Sequence, residues 1–380
     1  MILLLKHCAE VREETGVVLV GSIINALLIA LSLIVLVALV LVIAGVTSLG
    51  QLSDYVASAI NSTSGMLLTS TVPPYEPTIG QGQNFTYNYS DAYLYNYTLG
   101  LINKDRANYS VPPVTLSSEP SGQQHADSML ENGYFSHWDI YGMKPYMRYT
   151  LVGGNGSVEE NIAYRSSELC GVLGCRGNIN VTSALAQMEY SMMYNDSAEH
   201  WLHRYNILNA NHTGVSIGIA YNSSSVYLVE DFVDNYISWR GGTPGMQNGY
   251  VYLEGSVKNG YSLNNVLVSY DAPVANLTPA QLGMAPYNDG YSYGSVVAGV
   301  AQSSNEYYQN LTTIVATTYS VKGQSFDVAF NVSNLISEYH AGEYTIEMWL
   351  EPSGTSAAFL AATHTFFINS SGSQFTPTNV

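Results

Sequence analysis

The longest uniform feature of the chain is an apolar run, Val17 to Val46, with no charged residue in it. Its densest part, Ala26 to Val46, has 21 residues. As a helix that is about 30 Å, the thickness of a bilayer core. A cleaved leader has a shorter apolar stretch, so the run predicts an uncleaved transmembrane helix over 17–46. Residues 47–92 follow, rich in Ser, Thr, Gly, Asn and Pro without a sustained apolar period, and predict a stalk. From Ala92 the period becomes helical, with Leu99, Ile102 and Arg106 on one face. A second helix is predicted over Ser121–Asn132, with Ala126, Met129 and Leu130 inward and Gly133 as its stop. A third is predicted over Ser183–Tyr194, started by Thr182 or Ser183. VSIGIAY and VYLVEDF, joined by NSSS, alternate like the two arms of a hairpin.

Past Gly241 the chain becomes strand-rich. YVYLEGSV, NVLVSYD, SVVAGVA, TIVATTYSV, FDVAFNV, YTIEMWL and ATHTFFI are short runs divided by turn residues, which predicts an antiparallel β-sandwich over 246–370. Gly241-Gly242-Thr243-Pro244 reads as a boundary, so residues 93–238 are expected to fold without the later strands. The predicted fold class is α+β.

Charge sets the orientation. Lys6 and Arg12 precede the apolar run and the next cation is Lys104, which puts residues 1–16 in the cytoplasm and everything beyond the single span outside. The membrane is thus one predicted partner. With 29 acidic and 12 basic residues, the net charge of −17 repels nucleic acid and excludes that class of partner. Charged residues are 11% of the chain, against roughly 25% in soluble domains, so Tyr, Asn, Ser and Thr must supply surface polarity. Fourteen Asn-x-Ser/Thr triplets, the first at Asn61, suit a glycosylated exterior. Cys8 falls on the inner side. Cys170 and Cys175 lie close together in the oxidising exterior and are predicted to form a disulfide, two free thiols being the alternative.

Four strings carry the candidate chemistry: LINKDRANYSVPPVTLS at 101–117, QQHADSMLENGYFSHWDIYGMKPYMRY at 123–149, EENIAY at 159–164 and HRYNILNANHTGVSIGIAY at 203–221, the last followed by VYLVEDF. In that order they resemble a CAP-superfamily domain of microbial type, the group of cysteine-rich secretory, antigen 5 and pathogenesis-related-1 proteins. The resemblance covers about residues 93 to 238 and implies an α-β-α sandwich. It also implies a cavity lined by two histidines and two acids, here His137, Glu160, Asp196 and His203. Glu159 replaces the family's usual glycine, and Asp196 is shorter than the family's glutamate, with Glu189 and Glu199 as contenders. Two imidazoles and two carboxylates have the ligand chemistry for zinc or another divalent metal, with His137 and His203 as the expected direct ligands. The same set suits acid–base work.

Other signals have plainer readings. His200 reads as a flanking polar residue, and EHWLH is not the HExxH pattern because its Glu lies outside the pair. His125 reads as a packing residue of the second helix. Gly290-Tyr-Ser292-Tyr-Gly294 matches G-x-S-x-G, with Asp327 and His340 or His364 following in hydrolase order. It lacks the strand before and helix after that a nucleophile elbow needs, so it reads as a turn. The sequence therefore favours a surface protein that binds a ligand, lipid or protein partner over an enzyme. A metal-assisted hydrolase, with Glu160 activating water, is the alternative. A pilin-like subunit, with Asn25 facing neighbouring helices, is the second.

Overall fold

The computed structural model describes residues 90–377, apart from 168, 172–173, 177–178 and 243. The expected tail, span and most of the stalk lie outside them, as does Cys8. Among the described residues no helix is long and apolar enough to cross a membrane.

The first layer begins with α1 (Asp91–Asn108), whose Ser90 side chain caps the Tyr93 amide. The short strand β1 (Thr115–Leu116) precedes α2 (Ser121–Asn132), which ends at Gly133 in the left-handed conformation that glycine adopts without strain. α3 (Pro145–Leu151) leads into β2 (Ser157–Ser166). A small hairpin, β3 (Leu169–Gly171) and β4 (Gly174–Arg176), sets Cys170 directly opposite Cys175 in its backbone register. α4 (Val181–Tyr194) is capped by Asn180, two or three residues earlier than the sequence suggests, because the Asn180 carboxamide accepts the Ser183 amide. α5 (Leu202–Ile207), β5 (Gly214–Tyr221) and β6 (Ser225–Asp234) complete the layer.

The four strands order as β1-β5-β6-β2, with β1 parallel to β5 and the rest antiparallel. Strand alternation gives the sheet two apolar faces. Ile217, Ile219, Leu228 and Phe232 pack under α1, α4 and α5. Ile162, Ala220 and Val229 pack under α2. Helices therefore cover both faces. α2 sits very close to the sheet: a Cβ on Gly218 would lie 1.9 Å from the Gly122 carbonyl, so glycine is required at that contact. Arg106, fully buried, donates to the carbonyls of Pro112, Ile207 and Asn209 at 2.7, 2.7 and 3.0 Å and ties α1 to α5.

The second layer is a β-sandwich. One sheet is formed by β7 (Ile237–Trp239), β8 (Gly245–Gln247), β9 (Tyr250–Val257), β13 (Thr318–Lys322) and β14 (Ser325–Asn331). The other is formed by β10 (Tyr261–Asp271), β11 (Ser295–Ala301), β12 (Thr312–Val315), β15 (Gly342–Pro352), β16 (Phe359–Ile368) and β17 (Gln374–Phe375). Short helices α6 (Pro279–Leu282) and α7 (Ser333–Tyr339) interrupt the strands. The TIVATTYSV run, which reads as one strand, breaks at Ala316 so that β12 and β13 serve opposite sheets. β11 and β12 pair in parallel, the exception to the antiparallel pattern expected.

The sandwich starts before the expected Gly-rich boundary, since β7 pairs with β9. Its core also runs into the first layer. Phe367 packs with Met143, Tyr146, Met147, Tyr149 and Val158. Leu282 packs with Ala126 and Met129. Lys144 pairs with Asp271 at 2.6 Å, and the Tyr146 hydroxyl donates to the same carboxylate at 2.6 Å. Several buried apolar side chains of residues 93–238 are thus covered by the later part of the chain, which bears against their folding alone.

Candidate functional site

β2 is an edge strand, and the four expected cavity residues gather around it from both faces of the sheet. Glu160 points to the α2 face. The stop at Gly133 turns the chain so that His137 reaches it, with Nδ1 2.8 Å from Oε1 of Glu160. Arg148, from α3, donates through Nη2 to the other oxygen at 2.7 Å and through Nη1 to the carbonyls of His137 and Met143, both at 2.9 Å. One arginine thus holds the carboxylate, the histidine backbone and the loop between them.

Directly across the sheet, Asp231 on β6 pairs in register with Glu160. Its carboxyl accepts the Ser121 hydroxyl at 2.5 Å. Arg148 hydrogen-bonds to Glu160 alone of the two carboxyls, but its charge also acts on Asp231. Burial pushes Glu160 up to about 7, with Arg148 pulling it back. Burial and then the neighbouring Glu160 hold Asp231 well above the usual carboxylate range, so Asp231 is the neutral member. Burial, His203 and Arg148 push His137 down to about 3. His137 is then a neutral imidazole whose Nδ1–H donates to Glu160, which leaves the lone pair on Nε2. Its side chain is 16% exposed, whereas Glu160 is fully covered.

The second half is built at the end of α4. After Tyr194 the chain makes one 3-10 turn, Ser197–Glu199, and then places His200 and Trp201 in succession at positive φ, 57° and 66°. Two consecutive non-glycine residues in that region are strained, and such strain concentrates at functional sites. The bend brings Asp196 to His203, with Oδ1 2.7 Å from Nδ1, while the second carboxylate oxygen accepts the Arg204 amide at 3.2 Å. Asn161 on β2, facing the α4 side, donates to the His203 carbonyl at 3.2 Å and accepts from Asn206 at 2.9 Å. His203 is 20% exposed at its side chain.

Both histidines are thus oriented through Nδ1 by a carboxylate, and neither Nε2 hydrogen-bonds to a described residue. That is the arrangement in which an outer carboxylate fixes the tautomer and raises the basicity of the free nitrogen. The carboxylates are already engaged, and among the described residues no three His, Cys, Asp or Glu side chains converge as a metal-binding set.

Of the remaining candidates, His125 lies against this centre, its Nε2 3.8 Å from Oε1 of Glu160, and the others fall away from it. Glu189 is buried against Glu230 on the α4 face, held well above its ordinary range by burial and by that neighbour. His200 and Glu199 are exposed. His125 is buried and neutral, and its Nε2–H donates to the Ser136 carbonyl at 2.9 Å. Arg148 and Asp231 lay inside the MKPYMRY and VYLVEDF strings, but nothing in the sequence set them at the cleft. Their visible signal was charge in otherwise apolar motifs.

Residues 99–236 match the cysteine-rich secretory protein family, CAP. This segment is a CAP domain. Two residues of its first helix have structural duties: Asn103 brackets the Val114 backbone, at 2.9 Å from its carbonyl and 2.8 Å from its amide, while Arg106 clamps α5. Among solved structures, an extracellular protein containing an SCP domain from Bacillus anthracis str. Ames aligns at 20% identity and a TM-score of 0.28, covering 37% of this chain and 40% of its own. The CAP domain of enterococcal PrgA aligns at 12% identity and a TM-score of 0.26, covering 39% and 64%. The chain thus spans less than two thirds of either. No curated protein matches the chain.

Proposed function

We propose that this protein displays its CAP domain outside the cell as a binding module, held by the apolar segment at 17–46, and that His137 and His203 engage the ligand. The supporting observation is the pair of half-covered imidazoles, each anchored through Nδ1 to Glu160 or Asp196. A divalent ion such as zinc fits the donor chemistry of these two imidazole rings. Two nitrogens are fewer than the three protein ligands of a catalytic zinc site, so His137 and His203 would hold an exchangeable ion whose other positions belong to solvent or ligand. A bound ion would supply a positive, Lewis-acidic anchor for an anionic or carbonyl group. The partner is a surface ligand, lipid or protein rather than nucleic acid, in keeping with the net charge of −17.

Binding is favoured over hydrolysis by the state of Glu160. Its oxygens are engaged by His137 and Arg148 and its side chain is fully covered, which leaves it poorly placed to activate water. Zinc titration by calorimetry tests the reading, comparing wild type with His203→Ala and Glu160→Gln. His203→Ala is expected to abolish the cleft site, and Glu160→Gln to weaken it about 10- to 100-fold, as for other outer partners of a ligand histidine. Identical stoichiometry and affinity in all three would refute it.

A further inference from the structure

The His137 half of the cleft is not built by the CAP domain alone. Between β10 and β11 the sandwich sends out a long connection, residues 272–294, and its last part lies along the edge strand β2. Three consecutive residues of the His137 loop are held by it. The Ser136 hydroxyl donates to the Tyr287 carbonyl at 2.7 Å, the Trp138 indole donates to the Gly290 carbonyl at 3.1 Å, and the His137 ring stands 5.2 Å from that of Tyr291. Lys144 fastens the same segment through the Ser292 carbonyl at 2.9 Å.

The segment also closes the exposed edge of β2. An edge strand leaves alternate amides and carbonyls without a neighbour. Here the Glu160 amide donates to the Tyr291 hydroxyl at 2.9 Å, and the Tyr293 hydroxyl donates to the Val158 carbonyl at 3.1 Å. Two tyrosines spaced by one residue thus meet two positions of the strand spaced likewise, as a pairing strand would. This accounts for the Gly290–Gly294 string: its tyrosines alternate onto β2, while Ser292 contributes its backbone carbonyl.

We infer that Tyr291 is a positioning residue of the CAP cleft, contributed by the C-terminal domain. Its hydroxyl fixes the backbone of Glu160, the residue that orients His137, and its ring bears on the His137 imidazole itself. The cleft is therefore complete only when the sandwich is docked, and the affinity of the cleft is set jointly by the two domains. The inference deepens the reading of His137 and His203 as the ligand-binding pair and rests on it for its consequence, though not for its geometry.

The test uses the full chain with Tyr291→Phe, Tyr291→Ala and, as a control on the same edge, Tyr293→Phe. Hydrogen exchange at the Glu160 amide is expected to rise about tenfold in Tyr291→Phe, the factor for one lost hydrogen bond, and to stay near wild type in Tyr293→Phe. The downfield proton shared by His137 Nδ1 and Glu160 should broaden or shift in Tyr291→Ala and remain in Tyr293→Phe. Zinc affinity is expected to fall about tenfold in Tyr291→Ala with little change in Tyr293→Phe. Equal effects of the 291 and 293 variants on all three readouts would make Tyr291 a mere edge cap and overturn the inference. A wild type that binds no zinc defeats the ligand reading alone, because the amide and imidazole signals still decide the positioning role. An unfolded Tyr291→Ala leaves Tyr291→Phe to decide: unchanged Glu160 exchange in that variant overturns the inference.

Discussion

Replacing Arg148 with methionine removes the guanidinium that faces Glu160 and Asp231. The side chain makes three hydrogen bonds, one to the Glu160 carboxylate at 2.7 Å and two to backbone carbonyls at 2.9 Å. Breaking a buried ion pair by deleting one partner costs about 3–5 kcal/mol, because the other charge is left without compensation. Glu160 can escape that charge by taking up a proton, so the loss depends on pH. Burial raises Glu160 from 4.5 to about 7. The folded state then binds more protons than the unfolded state between those values, and wild-type stability falls as pH rises through that window. Without Arg148 the carboxyl moves further up. The predicted loss is therefore about 4 kcal/mol near pH 8, where Glu160 is ionised in the wild type, and about 2 kcal/mol near pH 5, where it is neutral in both proteins. Urea unfolding of wild type and variant at the two pH values, with a chelator present, measures it. A loss below about 1 kcal/mol at pH 8, or the same loss at both, would refute the reading that Arg148 compensates an ionisable Glu160.

Asp231→Asn tests the other member. Since Asp231 is held neutral, the amide should cost less than about 1 kcal/mol at pH 7 and the variant should lose less stability than wild type as pH rises, in the same urea assay. A fragment of residues 93–238 should bind a hydrophobic dye and melt without a sharp transition, because Tyr146, Tyr149 and Val158 lose their cover from Phe367. A cooperative melt would show that the first layer stands alone. Cys170 and Cys175 should resist alkylation until reduced, since their backbone positions pair directly across the β3–β4 hairpin.

Much of this was legible from local pattern. The helix over Ser121–Asn132 has an apolar face and a terminating glycine, and it ends where the sequence indicates. The β5–β6 hairpin likewise follows from its alternation. The four cavity residues were named through motif resemblance, not through spacing, and which acid meets which histidine, Glu160 with His137 and Asp196 with His203, is visible only in the fold. Asp196 reaches His203 because two positive-φ residues bend the chain between them, which no periodicity encodes. Arg148 and Asp231 were invisible as site residues because cross-strand register and helix placement, both long-range, put them beside Glu160. Tyr291 was hidden for a further reason. It lies about 130 residues from Glu160, in a string whose glycines and serine suggested a different motif.

The central claim is that His137 and His203 present their Nε2 atoms to one occupant. Anomalous diffraction at the zinc edge, from crystals of the protein grown with zinc, tests it most directly. The account predicts a peak bonded to both Nε2 atoms at about 2.0–2.1 Å, with no carboxylate oxygen of Glu160 or Asp196 in its inner shell. Zinc found elsewhere on the molecule, with both imidazoles free, would contradict it.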